Sequence, residues 1–171
     1  MKIRTLTADA LLAALSMCVY AIESAVPPLV AVPGVKLGLA NAVTLTAIYI
    51  VGKKNALCVL AVRLLLTALI FGNMMSFVFS ACAGLACYTV MVLCTRFIDE
   101  NDMWATSIFG AIAHNGVQVA IAALTVGTSS LMYYFFVLLL SAVICGLFTG
   151  ICAKYSVKLF YRSGFAKRYK A

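Results

Sequence analysis

The chain has 171 residues, of which 65% are apolar and only 11% are charged, and its net charge is +8. It has too few polar groups to cover the surface of a soluble globular domain, and it is too hydrophobic to remain disordered. The composition therefore predicts an all-α integral membrane protein with a single transmembrane domain over residues 1–171. In such a protein the basic residues set topology and attract anionic lipid, so we expect no nucleic-acid partner.

Long apolar runs separated by short polar breaks predict six transmembrane helices. The first run follows Lys2 and Arg4 and resembles a signal peptide, but membranous sequence continues after it and the cleavage site is poor. We therefore interpret it as an uncleaved first helix. All three prolines, Pro27, Pro28 and Pro33, follow it and predict a rigid connection. The predicted helices cover residues 7–26, 35–51, 55–71, 74–96, 103–126 and 131–162.

The distribution of basic residues predicts the orientation of these helices. If the N-terminus is cytoplasmic, all of the 13 Lys and Arg residues except Lys36 and Arg63 fall on the cytoplasmic side. We therefore expect six spans in a bacterial-type cytoplasmic membrane, with both termini in the cytoplasm. Near the C-terminus, Lys154, Lys158 and Arg162 share one helix face. This face is typical of an anchor on anionic lipid, although a protein partner is an alternative.

Several polar side chains interrupt the apolar spans, and ionisable groups inside a membrane are costly enough to mark functional sites. With the predicted orientation these side chains converge on the outer half of the membrane, beneath the proline-rich loop. They predict a pocket for a small polar or zwitterionic solute, because both signs of charge are present. The alternative is a set of internal ion pairs and hydrogen bonds that lock the bundle. The candidate substrate-binding residues are Glu23, Lys36, Asn41, Arg63, Asn73, His114, Asn115 and Gln118.

The motifs of several enzyme classes are missing from the sequence. Asp99, Glu100 and Asp102 form one acidic cluster, whereas phosphoryl-transfer enzymes and prenyl synthases need paired acidic motifs to hold magnesium. The sequence contains no phosphate-binding GxxxxGK[ST] loop and no HExxH motif. We expect a protein that is not an enzyme, without metal or cofactor, and any ATP-driven step then requires ATPases on other chains.

Pairs of small residues at a spacing of four allow helices to approach closely, either within the chain or against a partner. The pairs are Ala10 with Ala14, Gly34 with Gly38, and Gly146 with Gly150.

Two segments carry a resemblance to a known family: PGVKLGLAN at residues 33–41 and AHNGVQ at residues 113–118. Together they resemble the Gx transporter family, whose members are often labelled heptaprenyl diphosphate synthase component I. That family is similar in size and layout to the substrate-binding S components of energy-coupling factor (ECF) transporters. The resemblance implies a six-helix bundle with an outer pocket for a vitamin or similar nutrient. It also implies a transmembrane T component and cytosolic ATPases as partners, with Ala10 and Ala14 contacting the T component.

Three functional hypotheses follow. The first is the substrate-binding membrane subunit of an ATP-driven importer of the ECF type. The second is an accessory membrane subunit linked to isoprenoid (heptaprenyl diphosphate) synthesis or to a flavin/quinone redox system. The third is a channel or carrier that works alone.

Overall fold

A computed structural model describes residues 3–25, 38–71, 74–126 and 131–162, with side chains from residue 6 onward in the first range and from residue 135 onward in the last. Helices make up 93% of these residues, and the described ranges contain no strand. The predicted all-α class is confirmed. The helices are α1 Ile3–Ala25, α2 Asn41–Ile50, α3 Lys53–Phe71, α4 Met74–Cys94, α5 Met103–Val126 and α6 Leu131–Arg162.

The prediction for the second helix was wrong in length. A helix over residues 35–51 was expected, but α2 begins at Asn41 and is preceded by a turn at residues 38–40. Gly38 in this turn has φ +78°, in the left-handed region that glycine tolerates best. Ten helical residues extend only about 15 Å, half of the hydrocarbon thickness. Residues 35–37 lie outside the described part of the chain.

Within the described residues, four helical segments are long and apolar enough to cross a membrane. They are Leu6–Ala25, Met74–Cys94, Glu100–Val126 and Phe135–Arg162, where the third includes the 3₁₀ turn Glu100–Asp102 that leads into α5. The helix α3 has 19 residues but includes Lys53, Lys54 and Arg63. The helices therefore support a membrane protein, whereas six spans and cytoplasmic termini stay predictions.

The short helix α2 lies at the centre of the bundle, and nearly all of its side chains are buried. Its residues join a core cluster to which all six helices contribute, for example Leu12, Leu45 and Met91. The outside of the bundle is apolar instead: Leu69 is 80% exposed and Leu124 is 84% exposed. A surface of this kind is suited to lipid and unsuited to water.

Close packing of α5 against α6 depends on the predicted glycine pair. A Cβ atom at Gly146 would lie 2.7 Å from the Ile108 Cα atom, and one at Gly150 would lie 2.5 Å from the Trp104 Cα atom. Only glycine allows the two backbones to approach this closely. The Gly146–Gly150 pair thus serves contact within the chain.

Candidate functional site

A polar cavity lies at one end of the bundle, between α1, α3, α4, α5 and the turn that precedes α2. We refer to it as the polar cavity. It is formed where the second halves of α1, α3 and α5 meet the first residues of α4 and the N-terminus of α2. Its lining residues are Tyr20, Glu23, Gly38, Ala40, Asn41, Arg63, Ser80, His114 and Gln118.

Five of the eight predicted binding residues line this cavity, although they come from four different helices. They are Glu23, Asn41, Arg63, His114 and Gln118. Because a buried polar group is costly without a polar partner, their clustering in one cavity lowers that cost. Their role in binding a solute remains a prediction.

Asn115 was expected in the same site, but it does not line the cavity. Its Nδ2 atom donates a hydrogen bond of 2.9 Å to the Leu138 carbonyl oxygen on α6. Neighbouring residues of a helix differ in direction by about 100°, so Asn115 points away from the cavity that His114 lines. The other two predicted residues, Lys36 and Asn73, lie outside the described residues.

The ionisable members of the cavity are almost fully enclosed. Glu23 is 5% exposed, Arg63 is 3% exposed and His114 is 5% exposed. Glu23 and His114 both lie near enough to Arg63 for electrostatic interaction. Isolated charges at such depth would be strongly unfavourable, so the carboxylate and the guanidinium stabilise each other.

The carboxylate of Glu23 also has a backbone partner. The backbone N–H of Gly38 donates to its Oε1 atom, which connects the end of α1 to the turn that precedes α2. A Cβ atom at Gly38 would lie 2.8 Å from the Asn41 Nδ2 atom and 3.2 Å from the His114 Cδ2 atom. Because Gly38 has no side chain, the Asn41 amide, the His114 imidazole and the Glu23 carboxylate can all lie against this turn.

Two buried polar atoms in the cavity have spare hydrogen-bonding capacity. Within the described residues, the Arg63 Nε atom and the His114 Nδ1 atom have no hydrogen-bond partner. An unsatisfied buried donor or acceptor costs about 1–3 kcal/mol. A solute or water that pairs with these atoms would recover that free energy.

The guanidinium of Arg63 lies beside Gly84 of the facing helix. A Cβ atom at Gly84 of α4 would lie 3.5 Å from the Arg63 Nη2 atom, at ordinary contact distance. The Arg63 carbonyl oxygen accepts a hydrogen bond of 2.7 Å from the Thr67 hydroxyl one turn later. Arg63 therefore packs against α4, and an alanine at position 84 would be compatible with this contact.

Four lining residues were not predicted from the sequence: Tyr20, Gly38, Ala40 and Ser80. A signal existed for Tyr20, which lies three residues before Glu23 and so shares its helix face. Gly38 had been interpreted as one of a pair of small residues that open a helix, whereas it belongs to a turn. Ser80 and Ala40 have no distinguishing pattern in the apolar sequence around them.

The cavity is small. The space open to the centre of a water-sized sphere is about 10 Å³, roughly what a single water molecule needs. In this conformation the cavity is nearly closed, so binding of any solute requires the lining to move.

Comparison with known families identifies the chain. A family model described as heptaprenyl diphosphate synthase component I matches residues 12–156. The chain belongs to this family. Comparison with curated proteins and with solved structures gave no match.

The component I family name bears on the question of catalysis. It designates one component of a synthase and does not assign the reaction to that component. Within the described residues of this chain, no group of three or more His, Cys, Asp or Glu side chains is placed to hold a metal ion. In the acidic segment, Asp102 accepts a hydrogen bond of 3.2 Å from the Trp104 Nε1 atom.

The predicted partner face lies on the outside of α1. Ala10 and Ala14 are exposed, next to Leu11 and Leu15, which are 56% and 48% exposed. Ala13 between them is buried against the core at 4% exposure. The alanine pair is therefore available to another helix or to lipid, and its contact with a T component stays a prediction.

The predicted lipid anchor lies at the opposite end from the polar cavity. Lys154, Lys158 and Arg162 are exposed near the end of α6, and the Lys154 Nζ atom donates a hydrogen bond of 2.8 Å to the Asn101 carbonyl oxygen. Residues 163–171, which carry the remaining basic residues of the tail, lie outside the described part.

Proposed function

We propose that this protein is the substrate-binding membrane subunit of an importer for a small polar or zwitterionic solute, driven by ATPases on other chains. The observation that carries the proposal is the polar cavity itself. Glu23, Arg63 and His114 are buried together at one end of an otherwise apolar bundle. Ionisable residues inside a membrane protein are costly and mark solute pathways by default.

The charges of the cavity suggest how a zwitterion would lie in it. The Arg63 guanidinium would bind a carboxylate, since arginine matches the planar geometry of that group. The Glu23 carboxylate would accept hydrogen bonds from an ammonium group. Asn41 and Gln118 supply amides that donate and accept hydrogen bonds between these two charges.

Movement of the turn before α2 would give the solute access. Gly38 bonds to Glu23 and lies against His114, so a solute that competes for Glu23 would loosen this contact. The short α2 begins at the cavity and is surrounded by the other helices, as in transporters whose discontinuous helices end at the binding site. The ATP-driven step would reach the cavity through a partner, for which the exposed Ala10 and Ala14 of α1 are the proposed contact.

The test is solute binding to the purified protein in lipid nanodiscs, with native mass spectrometry as the measurement. The probes are the 20 amino acids and a panel of vitamins, and any mass retained from purification is identified first. The Gln118→Ala variant should weaken retention of the bound molecule about fivefold or more, because one hydrogen bond is lost.

The matched control is Asn115→Ala, which removes an amide from the same helix three residues earlier but outside the cavity. It should leave solute retention within twofold of the unmodified protein. Absence of any retained molecule, or an equal loss in both variants, would contradict the proposal.

A second candidate function is favoured by the family description: an accessory membrane subunit linked to isoprenoid synthesis. In that case the exposed acidic segment around Glu100 and the basic end of α6 would be the contact surfaces. A pull-down from native membranes separates the two candidates. Recovery of a soluble prenyl synthase without transporter subunits would favour the accessory role, and recovery of ATPases with a T component would favour the importer.

A further inference from the structure

A second cleft lies at the opposite end of the bundle from the polar cavity, between the 3₁₀ turn that precedes α5 and the end of α6. We refer to it as the basic cleft. Its empty volume is about 680 Å³, open solvent included. Its lining residues are Glu100, Asn101, Met103, Lys154, Val157, Lys158 and Tyr161.

The floor of the basic cleft is apolar and its rim is cationic. Met103 is 0% exposed and Val157 is 2% exposed, so both are fully packed at the base. Lys154 and Lys158 are exposed one helical turn apart and therefore lie on the same face of α6. Two ammonium groups thus stand above an apolar base.

The polar groups at the rim leave the lysines available to an anion. Lys154 uses one of its three donors on the Asn101 carbonyl oxygen, which holds its ammonium group at the rim. The Tyr161 hydroxyl lies near enough to the Glu100 carboxylate for electrostatic interaction. Within the described residues Lys158 pairs with no carboxylate. The lining therefore contains two cations and one carboxylate, which leaves a net positive charge.

The surroundings place the basic cleft where hydrocarbon meets head groups. Ile151 and Leu147 lie one and two helical turns before Lys154, with Ile151 the nearer, and share its face of α6. Both side chains are more than 40% exposed. Trp104 is 43% exposed and lies next to Met103 in the chain. Half-exposed tryptophans are typical of the membrane interface. An apolar stripe therefore leads directly to the two lysines.

We propose that the basic cleft binds the phosphate group of an anionic amphiphile, one whose head group carries no cation to balance that phosphate, with its apolar chain along Leu147 and Ile151. Lysine binds phosphate as a point charge and needs no fixed geometry from the ligand. The lining supplies two such charges, and the exposed apolar stripe supplies a surface for the chain. This proposal is independent of the solute-binding function of the polar cavity.

Tryptophan fluorescence tests the proposal, because the sequence contains one tryptophan and Trp104 adjoins the basic cleft. The protein is placed in phosphatidylcholine nanodiscs that contain a small fraction of either brominated phosphatidylglycerol or brominated phosphatidylcholine. Bromine quenches only nearby tryptophan. We expect stronger quenching by the brominated phosphatidylglycerol. Each lysine near an anionic head group favours binding by about fivefold, so Lys154→Gln with Lys158→Gln should lower this preference by about tenfold or more.

The matched control is Lys53→Gln with Lys54→Gln, which removes the same charge from two exposed lysines at the start of α3. It should keep the preference within about twofold of the unmodified protein. Equal loss in both double variants would overturn the proposal, because it would indicate general surface charge. Absence of any preference in the unmodified protein would overturn it as well.

A competition arm distinguishes the source of the phosphate group. Inorganic pyrophosphate added to the nanodiscs should not relieve the quenching, because it has no apolar chain to lie along α6. Relief at millimolar pyrophosphate would overturn the amphiphile assignment and would indicate a soluble phosphate as the ligand of the basic cleft.

Discussion

At the scale of single residues, Gly38 has the greatest influence on the polar cavity. It has φ +78°, donates its N–H to Glu23, and leaves no room for a Cβ atom beside Asn41 and His114. No other cavity residue combines a backbone requirement with contact to three polar side chains within the described part.

The Gly38→Ala variant should therefore be destabilised and should lose solute binding. The left-handed conformation costs an alanine roughly 1–2 kcal/mol, and the crowding against Asn41 and His114 adds to that cost. The measurements are thermal unfolding in detergent and native mass spectrometry of the retained solute.

The control is Gly52→Ala, because Gly52 has a similar φ of +85° but no atom within 4 Å of an added Cβ. This variant should lose only the stability that the left-handed backbone conformation costs an alanine, and it should keep solute binding. If the two variants unfold at the same temperature and bind equally, the crowding at Gly38 is not important for the cavity.

At the scale of elements, the contact between α5 and α6 limits which side chains the bundle tolerates. Ser107 and Thr149 share a buried hydrogen bond of 2.8 Å across this contact. Gly150 lies against the α5 backbone at Trp104 and against the Ser107 Cβ atom. The backbone of a helix cannot move aside as a flexible side chain does, so this contact is rigid.

The Gly150→Ala variant should lower the unfolding free energy by about 1–3 kcal/mol, the usual cost of overpacking. Gly116→Ala in α5 is the control. Its added Cβ would lie 3.7 Å from the nearest atom, on Phe135. Since alanine has a higher helix propensity than glycine, this variant should unfold at the same temperature or a higher one. Chemical denaturation in mild detergent measures both, and a stable Gly150→Ala protein would show that α6 has freedom to shift.

At the scale of the whole molecule, the exposed surface decides how the bundle associates with other chains. The outside of α1 combines two exposed alanines, Ala10 and Ala14, with flanking leucines. Faces with small residues allow a second helix to approach closely inside a membrane, where packing drives association.

The double variant Ala10→Leu with Ala14→Leu should abolish co-purification of a T component and ATPases while leaving solute binding unchanged. The same helix offers a control at its other end, Ala21→Leu with Ala25→Leu, since both of these alanines are exposed and share the same spacing. Loss of the partners in the control alone, or in neither variant, would contradict the assigned face.

The polar cavity was predicted in part, and the reasons for success and failure differ by residue. Glu23, Arg63 and His114 were recognisable because charged and titratable groups are rare in an apolar span. The prediction that Asn115 lines the cavity was wrong because it depended on where α6 packs against α5. The Asn115 amide instead donates a hydrogen bond to the Leu138 carbonyl oxygen on α6. Ser80 and Ala40 were missed because such residues are ordinary in a membrane helix.

By itself the sequence determined that this is an all-α membrane protein, because apolar runs of spanning length leave no other fold that satisfies the backbone. It also determined the ends of α5 and α6 within the described part, since polar residues and glycines bound those runs. Only the tertiary structure decided that α2 is a short central helix, that Gly38 closes the polar cavity, and that Lys154 and Lys158 face a cleft. These features depend on backbone turns and on distances between helices, which an apolar sequence does not encode in any local pattern.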